Sequence, residues 1–196
     1  MSNLQIGITG GIGSGKSLIC KIYSTLGVPV YNADSRARWL MKNQEDLKKE
    51  IKSTFGKEAY DEKGNIQRGY LAGKVFKDLD ELAKLNALVH PAVGRDYQVW
   101  QQHQETDYTI KEAALMFESG SYKGLDYVIN VSAPEEIRIR RVLKRDTFRS
   151  ETEIRAIIEK QLPETERIRR SDFVITNDGK QMVISQVLEL HKRFSK

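Results

Sequence analysis

The feature that most constrains this chain is the run Gly10-Gly11-Ile12-Gly13-Ser14-Gly15-Lys16-Ser17, which satisfies G-x-x-x-x-G-K-[ST] at every defined position. Leu4-Gln5-Ile6-Gly7-Ile8 precedes it and reads as a short buried strand. Ile19, Ile22, Tyr23 and Leu26 follow at helical spacing, and Gly27 is a natural helix stop. Glycines let such a loop wrap closely and turn successive N–H groups inward, making an anion cradle at a helix N-terminus. Gly11, Ile12, Gly13, Ser14, Gly15, Lys16 and Ser17 are therefore expected to hold a nucleotide. Lys16 can reach the β- and γ-phosphates, and the Ser17 hydroxyl can ligate Mg²⁺. The bland alternative, a glycine-rich turn without function, rarely matches the whole motif between a strand and a helix.

The remaining apolar runs suggest how the loop is framed. Val28–Tyr31, Tyr108–Ala114, Tyr127–Val131 and Phe173–Thr176 read as further strands separated by helical stretches. That pattern predicts an α/β fold, a mainly parallel sheet of about five strands flanked by helices. The core is expected to comprise residues 1–34, 103–133 and 164–196. Residues 35–102 read as an all-helical insertion: Leu47, Ile51 and Phe55 form a stripe closed by Gly56, and Asp78–Trp100 is helical with a break or new start at Pro91. Residues 134–163 are arginine-rich. They begin at Pro134, suited to a first helical turn, continue to the capping box Ser150-x-x-Glu153, and end at Pro163. A last helix, from about Lys180, carries Val183, Val187, Leu190 and Phe194 on one side.

Composition narrows the function classes. The 196 residues carry 32 basic and 27 acidic side chains, a net charge of +5, which suits either a nucleic acid or a polyanionic small molecule. A basic and aromatic surface away from the loop would favour nucleic acid, but the arginines concentrate in residues 134–163 and aromatics make up a scattered 8%. Cys20 is the single cysteine, which excludes an intrachain disulfide and suggests a reducing compartment. It reads as a small buried group. With no secretory signal and no apolar stretch of membrane-spanning length, the expectation is a cytoplasmic protein.

A phosphate loop does not name a reaction. The sequence lacks the N-K-x-D of a guanine-reading switch and the Asp-Glu strand end of an ATPase motor. A kinase needs a base for the acceptor hydroxyl and cations for the transferring phosphoryl group. Asp34, after the second strand, suits the first role or a helix N-cap. Arg138, Arg141 and Arg145 share a helical face and suit the second, or a solvated surface. Glu112, at the end of the third strand, can hold Mg²⁺ through water or satisfy a loop. Trp39 and Trp100 read as core anchors of the insertion.

Taken together, the segments resemble the dephospho-CoA kinase family. The resemblance rests on Ile6–Ser17, on Asn32-Ala33-Asp34, and on Arg68-x-x-Leu71-Ala72-x-x-Val75-Phe76. It continues through Leu85-x-x-Leu88-x-His90-Pro91, Leu115-Met116-Phe117-Glu118, Arg141-x-x-x-Arg145-Asp146, Gln161 and Asp172-Phe173-Val174-Ile175-x-Asn177. It implies a helical CoA-binding insertion, an arginine lid, and transfer of the ATP γ-phosphate to the ribose 3′-hydroxyl of dephospho-CoA with Mg²⁺. Asp34 would be the base, with Lys16, Arg141 and Arg145 catalytic. Asn177 would join the nucleotide site, and Arg68, His90 and Glu118 the acceptor site, although a lone histidine such as His90 is more often structural. A small-molecule partner, no nucleic acid, no membrane and a monomer are expected. Three positions depart from the family pattern. Asn32 replaces an aspartate, Ala114 a proline, and Ile157 an arginine for which Arg155 would have to compensate. A kinase for another acceptor and a nucleotide-binding module without turnover remain the rivals.

Overall fold

The computed structural model describes residues 3–75 and 78–195, the side chain of Leu79 excepted. Phe76, quoted in one of the segments above, lies outside them. Two compact units divide the chain: Met1–Asn32 with Gln104–Lys196, and Ala33–His103.

The first unit is built on five parallel strands, β1 (Leu4–Thr9), β2 (Val30–Asn32), β3 (Tyr108–Glu112), β4 (Tyr127–Ser132) and β5 (Phe173–Thr176), in the order β2-β3-β1-β4-β5. Strands covered on both faces need continuous apolar runs rather than alternation. β3 is accordingly buried along its whole length, and four of the six residues of β1 are buried. Register places Ile8 of β1 beside Glu112 of β3 and Ile129 of β4, and Asn32 of β2 beside Glu112. The strand ends therefore gather at one edge.

Helices α1 (Lys16–Thr25) and α9 (Val183–Phe194) pack on the sheet, Ile19, Tyr23, Val187 and Phe194 joining Ile6, Ile8, Ile110 and Ile129 in one core. Between β4 and β5 run α6 (Glu135–Arg145), α7 (Glu151–Lys160) and α8 (Glu164–Arg170). Pro134 caps α6 from outside instead of occupying its first turn, and α8, after Pro163, is a helix that apolar periodicity did not disclose. The capping box at α7 is complete: Glu153 N donates to Ser150 Oγ at 3.2 Å, and Ser150 N donates to Glu153 Oε2 at 2.8 Å.

The second unit is all-helical: α2 (Ala33–Asn43), α3 (Glu45–Phe55), a 3-10 turn (Lys57–Ala59), α4 (Arg68–Val75) and α5 (Leu79–Gln102). Leu47, Ile51 and Phe55 are buried as their spacing predicts, and the Arg36 fork on Asp96 (Nε–Oδ2 2.8 Å) ties α2 to α5. Pro91 does not interrupt α5, which runs unbroken for 24 residues. A proline removes one ladder bond, and here the turns around it are anchored by buried Val89, Ala92, Val93 and Tyr97. Among the described residues no helix is long and apolar enough to cross a membrane.

Candidate active site

The glycine-rich loop leaves the C-terminal end of β1 and is held by its own main chain and by three remote segments. Ser14 N donates to Gly11 O at 3.1 Å, and Leu18 N to Gly15 O at 3.0 Å as α1 begins. Lys16 folds back so that Nζ donates to Gly10 O at 2.7 Å and Gly11 O at 3.4 Å. Asn177, buried just beyond β5, donates from Nδ2 to Ser14 O at 2.8 Å. Gly15 has φ +99°, and a Cβ there would collide with that amide, so both the turn and the clamp require glycine. Gln161, after α7, accepts from Ile12 N at 2.9 Å. The Ile12 side chain meanwhile packs against Ile139, Val142 and Ile154 of α6 and α7. The motif's variable position thus anchors the loop to the arginine-rich segment.

Ser17, in the first turn of α1, donates from Oγ to Glu112 Oε1 at 3.0 Å, and Asn32 Nδ2 donates to Glu112 Oε2 at 2.6 Å. The two predicted Mg²⁺ ligands therefore meet. Among the described residues no cluster of three metal-binding side chains exists. One carboxylate beside one hydroxyl nevertheless suits Mg²⁺, which keeps several waters and takes substrate phosphates as its other ligands. Cys20 lies on the same helix face. Burial first, and the Glu112 charge second, push its thiol far above the usual range, so it stays protonated.

The arginines divide into distinct environments. Arg141 reaches Ser14 O at 3.4 Å and Asn177 Oδ1 at 3.2 Å. Arg145, largely exposed, forks onto adjacent Asp146 at 2.8 and 2.9 Å. Arg155 does not turn to the loop, because Glu135, Glu136 and Glu151 hold its guanidinium. Arg138 and Arg167 are instead buried against Gly11. Sequence reasoning passed over Arg167, since nothing in a surface-like Glu-Arg-rich run signals that one arginine turns inward.

Asp34, assigned as the base, and the residues assigned to the acceptor lie on different elements. Asp34 is exposed in the first turn of α2, Arg68 is exposed at the start of α4, and His90 is exposed on α5 with its imidazole pKa lowered by partial desolvation. Glu118, exposed in the turns after β3, accepts from Leu162 N at 2.9 Å, one residue from Gln161. Trp39 is no core anchor. It is half exposed on α2, with the Arg36 guanidinium 4.3 Å from its ring centre, whereas Trp100 stacks on Tyr97.

The family model for dephospho-CoA kinase matches residues 4–182. The chain belongs to the dephospho-CoA kinase family. It is 35% identical to the dephospho-CoA kinase of Porphyromonas gingivalis over 95% of this chain and 92% of that one. With the dephospho-CoA kinase of Geobacillus kaustophilus the identity is 38% over 90% and 89%. A crystal structure from Thermus thermophilus superposes with a TM-score of 0.88 at 33% identity, covering 98% of each chain. The dephospho-CoA kinase from Campylobacter jejuni gives 0.71 at 25%, over 97% and 96%. The chain is thus an ATP-dependent kinase, a phosphotransferase.

Membership gives the departures a physical reading. Asn32 cannot supply a second carboxylate, but its amide holds Glu112 by a charge-assisted bond, leaving one carboxylate rather than two at the strand edge. Ala114 stands in the turns after β3. Arg155, expected to compensate for Ile157, is held by Glu135, Glu136 and Glu151 instead.

Proposed function

We propose that this kinase transfers the γ-phosphate of ATP to the ribose 3′-hydroxyl of dephospho-CoA, giving CoA and ADP. A bond forms between the acceptor oxygen and the γ-phosphorus as the bond to the β–γ bridging oxygen breaks, and the hydroxyl proton passes to Asp34. The loop N–H groups and Lys16 hold the β- and γ-phosphates, and Asn177 keeps Ser14 in place. Ser17 and Glu112 would hold Mg²⁺, which would neutralise phosphate charge during transfer. Arg141 follows the charge as it moves to the leaving oxygen, and Arg145 joins it on releasing Asp146. Residues 134–163 act as the lid and 35–102 as the acceptor-binding insertion, with Arg68 and His90 recognising the acceptor and Glu118 ordering the approach through Leu162. The reading needs no nucleic acid, and a monomer in the cytoplasm suffices.

Family membership over nearly the whole chain carries this conclusion, together with the Ser17–Glu112 contact beside a complete phosphate loop. The test is a panel of acceptors incubated with ATP and Mg²⁺, with products identified by mass. Dephospho-CoA should exceed adenosine, AMP and pantothenate derivatives by at least ~100-fold in kcat/KM, about 2.7 kcal/mol of transition-state discrimination. Comparable turnover of AMP would replace this reading with a nucleotide kinase.

A further inference from the structure

Arg138 and Arg167 are only 4% and 3% exposed, yet no step above uses them. They converge on one residue. A Cβ on Gly11 would run into Arg138 Nη1 and come within 2.9 Å of Arg167 Nη2. Arg138 Nε donates to Ala133 O at 3.1 Å. The Arg167 fork is held by Leu162 O and the Glu164 carboxylate. Two N–H groups are left over: Arg138 Nη1 and Arg167 Nε are buried without a hydrogen-bond acceptor among the described residues.

The charges do not balance either. Guanidinium stays protonated at any relevant pH. Burial would raise the Glu164 pKa, but the Ser132 hydroxyl and the Arg167 and Arg138 charges outweigh it and keep the group a carboxylate. Glu135 is a weak second counter-charge: it lies 3.8 Å from Arg138 Nη2, is half exposed, and is already held by Arg155. Two buried cations therefore face one partly buried anion, Glu164 being 25% exposed. A fold keeps an uncompensated buried charge only at a cost, because the lost hydration is not replaced. The loop next to that charge is where a triphosphate would dock.

We propose that Arg138 and Arg167 are positioning residues for the phosphate loop: packed on Gly11, they fix its main chain and hold there a positive charge that the bound nucleotide's phosphates complete, with Glu164 setting how much of it remains. The proposal rests on ATP binding at this loop. It explains why Gly11 must be glycine although its backbone is not left-handed: the space of a side chain is taken by two guanidiniums. It also gives Glu164 a role opposite in sign to that of an ordinary stabilising ion pair.

The test measures calorimetric Kd for ADP and ATP, KM for dephospho-CoA, and Tm on the full chain. Arg167→Met should weaken ATP about tenfold to a hundredfold, as expected for one partly screened charge near the phosphates, and leave KM for dephospho-CoA within about twofold. Glu164→Gln keeps the shape and removes the counter-charge; it should lower Tm yet tighten ADP and ATP about threefold to tenfold. A merely structural cluster predicts weaker nucleotide binding in both variants, the reverse of the effect expected for Glu164→Gln. If Arg167→Met does not fold, the sign of the Glu164→Gln effect alone decides. Weaker ATP binding in Glu164→Gln, or unchanged binding in a folded Arg167→Met, overturns the proposal. A wild-type chain that binds no ATP overturns the function above instead.

Discussion

The two units solve recognition in different ways. In the first, the candidate nucleotide site is made mostly of main chain, which remote Asn177 on Ser14 and Gln161 on Ile12, and the loop's own Lys16 on Gly10, lock in place. In the second, the residues assigned to the acceptor, Arg68 and His90, stand exposed on separate helices, α4 and α5, that bury Leu71 and Val75, and Val89, Ala92, Val93 and Tyr97, respectively. A cradle of N–H groups binds any triphosphate and must be rigid. A set of exposed side chains can be re-specified without disturbing the fold under it.

That contrast predicts how variants should separate. Lys16→Ala should lose turnover by three orders of magnitude or more in an ADP-release assay, because it removes the charge that follows the γ-phosphate. Near-normal turnover would mean that the loop is not the catalytic nucleotide site. Asp34→Asn should lower kcat by roughly two to four orders of magnitude, the scale of general-base loss, with ATP affinity unchanged. Asp34 lies within the first turn of α2 rather than at the N-cap position the sequence suggested, which limits the stability effect to about 1 kcal/mol. A variant that melts early but turns over normally would thus make Asp34 only a favourable charge at the helix start. Arg141→Ala should lower kcat about tenfold or more, whereas Arg145→Ala should cost less, since Arg145 must first leave Asp146. Equal effects in steady-state kinetics would remove the distinction drawn from their partners.

On the acceptor side, Arg68→Ala should raise KM for dephospho-CoA about tenfold and leave ATP binding alone. A matching loss of ATP affinity would break the comparison. The smallest effect concerns His90. Its folded pKa lies below the ordinary 6.5, so the unfolded chain binds that proton more readily and the residue costs stability as pH falls below about 6.5. Above that pH it contributes nothing. His90→Gln should thus match the wild type in urea melts at pH 7.5 and be slightly the more stable at pH 5.5.

What was legible in the sequence follows the same division. The phosphate loop and the five strands lie where local pattern dictates local structure; Ser17 and Glu112 were read separately, and their pairing across 95 residues is a product of the sheet. Asn177 and Gln161 were visible only through family segments, because a clamp on a carbonyl far away in sequence has no periodicity. The inward turn of Arg167 was invisible: Glu164-Thr165-Glu166-Arg167-Ile168-Arg169-Arg170 looks like a solvated helix, and tertiary packing alone separates Arg167 from its neighbours. Arg155, conversely, looked available, and three carboxylates hold it. Pro91 misled because a proline's effect on a helix depends on what buries the turns around it.

The strand order has a consequence for how the molecule comes into being. β1 carries the phosphate loop, yet its neighbours β3 and β4 begin only at Tyr108 and Tyr127, after the whole of the contiguous helical unit. During synthesis β1 therefore waits with both edges unpaired, while the local contacts of α2 to α5 are already available; non-local pairing of this kind is the slow part of folding. In pulse-labelled refolding, amides of the helical unit should gain protection before those of β1. The strand that carries the phosphate loop thus gains its two sheet neighbours only after the helical unit that follows it has been made.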